Sequence, residues 1–136
     1  MTKEKFLAIG VAVAVAVASS SAFAGAKDGA KGEDGDAKKG AKYFKKRCKA
    51  CHSVKKGGKH KIGPKLFGVV GRKAGSTDFK RYLALKGSGI IWDDANLDGW
   101  LADPKKFGGN KKTKMSAKTK KAGDRADLIA FMKTLK

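Results

Sequence analysis

The chain has 136 residues, with 32 Lys or Arg against 12 Asp or Glu, a formal charge of +20 at neutral pH. That length holds one domain and no more, and the charge excludes a surface built for basic partners; it suits acidic or anionic ones. The two cysteines, Cys48 and Cys51, are separated by only two residues, so a bond between them would close too small a loop to staple a fold.

Lys3 and Lys5 precede an apolar run from Phe6 to Ala18, followed by Ser19-Ser20-Ser21 and Ala22-Phe23-Ala24. A basic start, a short apolar stretch and an A-x-A pattern predict a cleaved secretory signal peptide over residues 1–24. The run of thirteen residues falls short of the roughly 20 that span a bilayer, which argues against an uncleaved anchor. Cleavage after Ala24 removes Lys3, Lys5 and Glu4, taking the charge from +20 to +19, and leaves 112 of the 136 residues. No other apolar run is long enough to span, so the mature protein is expected to be soluble. Residues 25–35 read as a flexible Gly-rich leader, and residues 36–136 as the single domain.

Asp36 can cap a helix from about Ala37 to Cys48, with Gly40, Ala41, Phe44 and Cys48 along one side. A Gly/Lys loop from Ser53 to Ile62 contains His60, read as a solvated loop histidine. Gly63-Pro64 turns the chain into Leu66-Phe67-Gly68, and another polar loop runs from Gly71 to Asp78. Phe79 to Lys86 is a short helical candidate stopped by Gly87. Asp93 can cap a helix carrying Leu97, Trp100 and Leu101, which must end near Asp103 because Pro104 follows. Phe107 to Thr119 has no apolar period. In the last helix, opened by Gly123-Asp124, Leu128, Phe131, Met132 and Leu135 recur at i, i+3, i+4 and i+7. There is no internal repeat and no convincing strand.

The expectation is an all-α domain of four to five helices joined by long loops. Such loops exceed what compact domains ordinarily tolerate, so something besides side chains must hold them.

Cys48-Lys49-Ala50-Cys51-His52 supplies it. Two thiols three residues apart project from one side of a helical turn, where they can bond the two vinyl groups of one porphyrin. His52 then offers an imidazole nitrogen to the iron from beneath the ring. The motif is short enough to serve other ends. A thioredoxin-like redox pair needs a βαβ context that is missing around Cys48. A zinc site needs four ligands, and His60 is the one further Cys or His, too far along to complete it. A covalently bound haem also resolves the excess of loop.

Several stretches in order resemble the class I c-type cytochromes, of the bacterial cytochrome c2 and mitochondrial type. Lys39-Gly40 and Phe44 precede Cys48-x-x-Cys51-His52. Gly63-Pro64-x-Leu66-x-Gly68 and Gly71-Arg72-Lys73 follow. Then come Trp92, Leu97-x-x-x-Leu101, Asp103-Pro104-Lys105, Thr113-Lys114-Met115 and Asp127-Leu128-Ile129-Ala130-Phe131. The resemblance implies the small cytochrome c fold wrapped around one covalent haem c. Cys48 and Cys51 would make its thioether links, with His52 and Met115 as axial ligands of the iron. Pro64 would accept the His52 ring hydrogen bond through its carbonyl. Arg72, Tyr82, Trp92 and Thr113 would hydrogen-bond the propionates. Gly40 and Phe44 would cross the last helix at Leu128 and Phe131.

Two departures stand out. Trp100 occupies the haem-pocket position where the family usually has tyrosine, and an indole N–H only donates. The loop from Pro104 to Met115 is about two residues longer than the family pattern. Met115 itself sits in a lysine-rich loop off any apolar stripe, unlike Met132, so it needs a reason other than core packing to be buried.

Filled axial positions leave no open site for substrate, which implies a one-electron carrier rather than an enzyme, with no catalytic residue. Lys49, Lys55, Lys56, Lys59 and Lys61 on one side, and Lys105, Lys106, Lys111, Lys112 and Lys114 on the other, would ring the haem edge. Such a rim steers the protein toward acidic faces of membrane or periplasmic redox complexes, with salt weakening the effect. The expectations that complete this reading are a monomer in the periplasm, part of a respiratory chain or similar pathway, without nucleic-acid partners. Two rivals come from other classes. One is a ligand-binding or peroxidase-like haem protein, if the long loop lets Met115 dissociate. The other is a polyanion-binding module, disfavoured by export and by the lack of an aromatic stacking platform beside the lysines.

Overall fold

The computed structural model describes residues 34–107 and 112–136. The expected signal peptide, most of the leader and Lys111 lie outside the described residues. Among those described, three α-helices and one 3₁₀ turn are the regular elements, and pairing of the strand type is a single antiparallel bridge between Lys73 and Ile91.

Helix α1, Ala37–Arg47, begins where the Asp36 carboxylate accepts the N–H of Lys38 at 2.8 Å and of Lys39 at 3.1 Å. These bonds satisfy two of the amides that a helix start leaves open. Together, the Lys39 one foremost, they hold the Asp36 carboxyl below the usual aspartate range. Lys45, Lys46 and Arg47 occupy the last turn, where the negative end of the helix dipole favours cations.

Helix α2, Asp94–Ala102, is capped by Asp93 through the N–H of Asn96 at 2.8 Å. It turns Leu97 and Leu101 inward and stops before the buried Pro104, whose ring cannot continue a helix. Helix α3, Ala122–Lys133, buries Leu128, Ile129 and Met132. Leu128 is wholly enclosed.

The helices α1 and α3 cross closely, and the sequence dictates how. A Cβ on Gly40 would overlap the Asp127 carbonyl oxygen and stand 2.8 Å from the Phe131 Cβ. Glycine alone permits that approach. Next to it the Phe44 and Phe131 rings lie 5.5 Å apart at 46°, a tilted pairing that aromatic quadrupoles favour. The Asp127 carboxylate also accepts the N–H of Asp36 at 2.7 Å, fastening the start of α1. Arg125 ties α3 to α2 through Asp98 at 2.6 Å. It donates as well to the carbonyls of Thr119 and Lys120.

The helical candidate from Phe79 to Lys86 shrinks to a 3₁₀ turn, Leu83–Leu85. The reason is local: Leu83 has φ +50°, a left-handed value that ends any right-handed helix. Phe79 and Tyr82 instead turn their rings together, 5.2 Å apart and nearly edge to face. Loop backbone closes on itself through Gly71 N–H to Trp92 O and Trp92 N–H to Arg72 O, at 2.9 and 3.0 Å. Val69, Ala74, Leu85 and Trp92 thereby join the helical core. No helix among the described residues is long and apolar enough to cross a membrane.

Candidate functional site

The helices and loops leave a cavity of about 260 Å³ in the middle of the domain. Helix α1 runs straight into its first wall. Cys48 N–H still bonds Phe44 O at 2.8 Å, and the N–H groups of Cys51 and His52 both reach Cys48 O at 3.0 Å. One further turn of chain thus sets Cys48, Cys51 and His52 side by side on the cavity. Both cysteines are half-buried and form no disulfide. Burial pushes the Cys48 thiol above the ordinary cysteine range, since a thiolate loses solvation there.

His52 is fixed from below. Its Nδ1–H donates to the Pro64 carbonyl at 2.7 Å. Gly63 lies flat against the ring: a Cβ there would overlap Cε1 and stand 2.8 Å from Nδ1. The Gly63 N–H is bound in turn to Cys51 O at 2.8 Å. Burial lowers the imidazole pKa against the opposing effect of the Pro64 bond, favouring the neutral ring. A neutral imidazole whose Nδ1 carries the proton has its lone pair on Nε2, the nitrogen that can bind a metal.

Another part of the lining comes from the segment after residue 111. It is anchored at Thr119, whose N–H reaches Leu101 O at 2.8 Å. Met115 lines the cavity from this side, its N–H bonded to Thr113 Oγ1 at 3.1 Å. The Trp100 indole N–H points at the Met115 sulfur, 3.2 Å away.

Arg72, Tyr82, Trp92 and Thr113 all line the same cavity, and each can donate a hydrogen bond. Arg72 is oriented by the Phe67 and Lys65 carbonyls, both at 3.0 Å. The Tyr82 hydroxyl meets that of Thr77. Thr113 accepts the Met115 amide, so its O–H proton remains to be given elsewhere. Trp92 is 7 % exposed, and its indole N–H finds no acceptor among the described residues. An orphaned buried donor implies an unseen acceptor. A haem fits these residues: an apolar slot lined by two thiols, an imidazole and a thioether, with donors for carboxylates.

The structure corrects one reading and adds several residues. His60 is no solvated loop side chain; it is 18 % exposed and donates through Nε2–H to Asp78 at 2.6 Å. Its Nδ1 accepts the Lys65 amide at 3.0 Å, and its ring rests on Phe79, 5.4 Å away. That bond, first among the causes, holds the Asp78 carboxyl below the usual range. The partners lie 18 residues apart in different loops, so no local pattern signals the clasp. Arg47, Ile62, Phe79 and Arg81 also line the cavity. Exposed Ile62 breaks a lysine-rich run, the one hint the sequence offered.

Lys49, Lys55, Lys56, Lys59 and Lys61, in the segments around His52, are exposed, as are Lys105, Lys106, Lys112 and Lys114, in the segments before Met115. Lys61 is drawn back, its Nζ donating to Lys49 O at 2.7 Å.

Residues 37–136 match the family described as Cytochrome c. The chain is 50 % identical over 100 residues to cytochrome c of Theileria annulata, covering 74 % of this chain and 86 % of that one. It is 48 % identical over 99 residues to cytochrome c of Arabidopsis thaliana, covering 72 % and 88 %. With cytochrome c2 of Rhodospirillum rubrum it shares 40 % over 144 residues, 98 % of this chain and 99 % of that one. With so much of its length shared, this chain belongs to the cytochrome c family, whose members carry electrons on a covalently bound haem c and are not enzymes.

Proposed function

We propose that the chain is a His52/Met115-ligated monohaem electron carrier of the periplasm. In this reading residues 1–24 direct export and are removed, residues 25–35 form a leader, and residues 36–136 fold as the carrier. One observation supports it above the others: an imidazole, a thioether and two cysteines outside any disulfide line one apolar cavity.

When bound there, haem c supplies an Fe(III)/Fe(II) couple. The protein does the rest. Cys48 and Cys51 tether the ring through thioethers. Pro64 and Gly63 hold the His52 plane, and Met115 would hold the iron through its sulfur and keep small ligands out. Arg72, Tyr82, Trp92 and Thr113 receive the propionates, offsetting the cost of burying carboxylates. Because the donor atoms are fixed by surrounding contacts, little rearrangement accompanies a change of oxidation state.

The lysines on both sides of the cavity attract acidic faces of redox partners, a monomer meeting each in turn and binding no nucleic acid. Desolvation at such a rim is small, so it acts on encounter rate more than on residence.

Intact mass and a reduced-minus-oxidised spectrum of the secreted protein test this. A single haem added through two thioethers, the loss of residues 1–24 and a sulfur-to-iron charge-transfer band in the near infrared are expected. A colourless product with free thiols, or a high-spin oxidised spectrum without that band, rejects the proposal.

A further inference from the structure

The loop that carries Met115 is closed at its neck by two neighbouring ties. Thr119 N–H reaches Leu101 O at 2.8 Å. One residue earlier, Lys118 Nζ donates to the Asp103 carboxylate at 2.7 Å, across 15 residues of sequence. Beyond the neck the chain is pinned: Thr119 is buried, and its carbonyl accepts Arg125 Nη1 at 3.1 Å. Toward Met115, Ser116 and Ala117 are exposed and make no hydrogen bond among the described residues. Lys118 is therefore the last side-chain tie before Met115.

Asp103 is prepared to receive that charge. It follows α2 directly, and its Oδ1 accepts the Lys105 N–H at 3.1 Å, leaving Oδ2 for the ammonium group. Its side chain is 19 % exposed, so salt screens the pair less than it screens a fully solvated one. The bond from Lys118, first among the causes, holds the Asp103 carboxyl below the usual range. Lys114 and Lys120, on either side in sequence, are exposed and make no ion pair among the described residues.

We propose that Asp103 and Lys118 form a latch that positions Met115, keeping the neck of its loop shut so that the thioether stays at the cavity. The proposal rests on the reading of Met115 as an axial ligand. A loop gains freedom when its ends part, and a longer loop gains more. The stretch from Pro104 to Met115 is longer than the family pattern, so this neck has more to restrain. Lys118 thus differs in role from the lysines that meet partners. Its charge is committed to a carboxylate of its own chain, and losing it loosens the ligand segment rather than slowing encounter.

The test uses the oxidised, secreted holoprotein at low salt and at one pH where imidazole is neutral. Imidazole displaces Met115, and loss of the sulfur-to-iron charge-transfer band follows it. Lys118→Gln should bind imidazole about twofold to fivefold more tightly than the wild type, the range that a well-aligned, partly exposed ion pair supports. Lys118→Arg keeps the charge and should return to the wild-type affinity. Asp103→Asn keeps an acceptor for the Lys105 amide and should match Lys118→Gln. The double variant should go no further than either single one, because both remove the same interaction. Lys120→Gln deletes an equal charge two residues away and should change nothing.

A role limited to overall stability lowers the urea midpoint of Lys118→Gln and leaves imidazole binding as it was, which overturns the proposal. So does an equal gain in Lys120→Gln, the absence of recovery in Lys118→Arg, or additive effects in the double variant. Should a variant fail to fold, the wild type decides: imidazole binding that tightens as salt rises supports the latch, and binding indifferent to salt overturns it. A wild type without the charge-transfer band overturns both the latch and the ligand reading. A wild type that has the band, paired with an inert Lys118→Gln, overturns the latch alone.

Discussion

His52 and Pro64 are joined by a 2.7 Å hydrogen bond from the ring Nδ1–H to the proline carbonyl. Proline has no N–H of its own to offer, and its fixed φ holds the carbonyl under the ring. Gly63, one residue earlier, leaves room for the imidazole to lie against the backbone. Two consecutive residues therefore set both the tautomer and the plane of the histidine.

Gly63→Ala puts a methyl group into the His52 ring. Overpacking of this kind costs about 1–3 kcal/mol. The expected outcome is a lower urea midpoint together with a low-spin haem spectrum altered by the displaced ring. An unchanged spectrum with unchanged stability would show that the ring does not depend on this contact.

Leu128 is the wholly enclosed side chain at the crossing of α1 and α3. Leu128→Ala should destabilise the protein by about 2–5 kcal/mol, the range for buried leucines that leave a cavity. Denaturant unfolding with an unchanged m-value checks it, and a loss below about 1 kcal/mol would mean that the helices collapse into the space.

The His60–Asp78 clasp makes acid stability partly a property of two loops. The Asp78 carboxyl is held below its ordinary range, chiefly by the bond from His60. A depressed folded-state pKa adds stability that is fully present above the unfolded value and disappears as pH falls through the folded value. Asp78→Asn should therefore lower the urea midpoint near neutrality and flatten its decline on the acid side. Parallel acid limbs for the variant and the wild type would show that the clasp contributes nothing there.

Lys105 and Lys106, just after helix α2, are exposed and make no ion pair among the described residues. Reversing both to Glu should slow oxidation of the reduced protein by ferricyanide several-fold at low salt and speed its oxidation by a cationic cobalt complex. Both effects should fade as the Debye length contracts. Equal effects on the two reagents would point to a change at the haem rather than to surface charge.

Local signals sufficed for the helices and the attachment turn. Asp36 and Asp93 cap helices where a short acidic side chain stands before an amphipathic stretch, and Pro104 ends α2 as its ring demands. The ordered matches around Cys48-x-x-Cys51-His52 disclosed the family. Phe79 to Lys86 misled, because the left-handed backbone at Leu83 breaks the helix that the local pattern favours. His60 misled for another reason: a histidine flanked by lysine and glycine looks solvated until a distant aspartate closes over it.

The chain's own letters determined what is written within a few residues of itself: caps, breakers, thiol spacing and the excess of positive charge. Folding alone decided what depends on meetings between remote segments. Met115 joins His52 on one cavity, Trp100 aims its N–H at the sulfur, Phe107 fits over Gly99, and His60 finds Asp78, each across loops with no period to betray them. Side-chain direction in such loops is set by the packing of the whole domain, and local propensity carries no record of it.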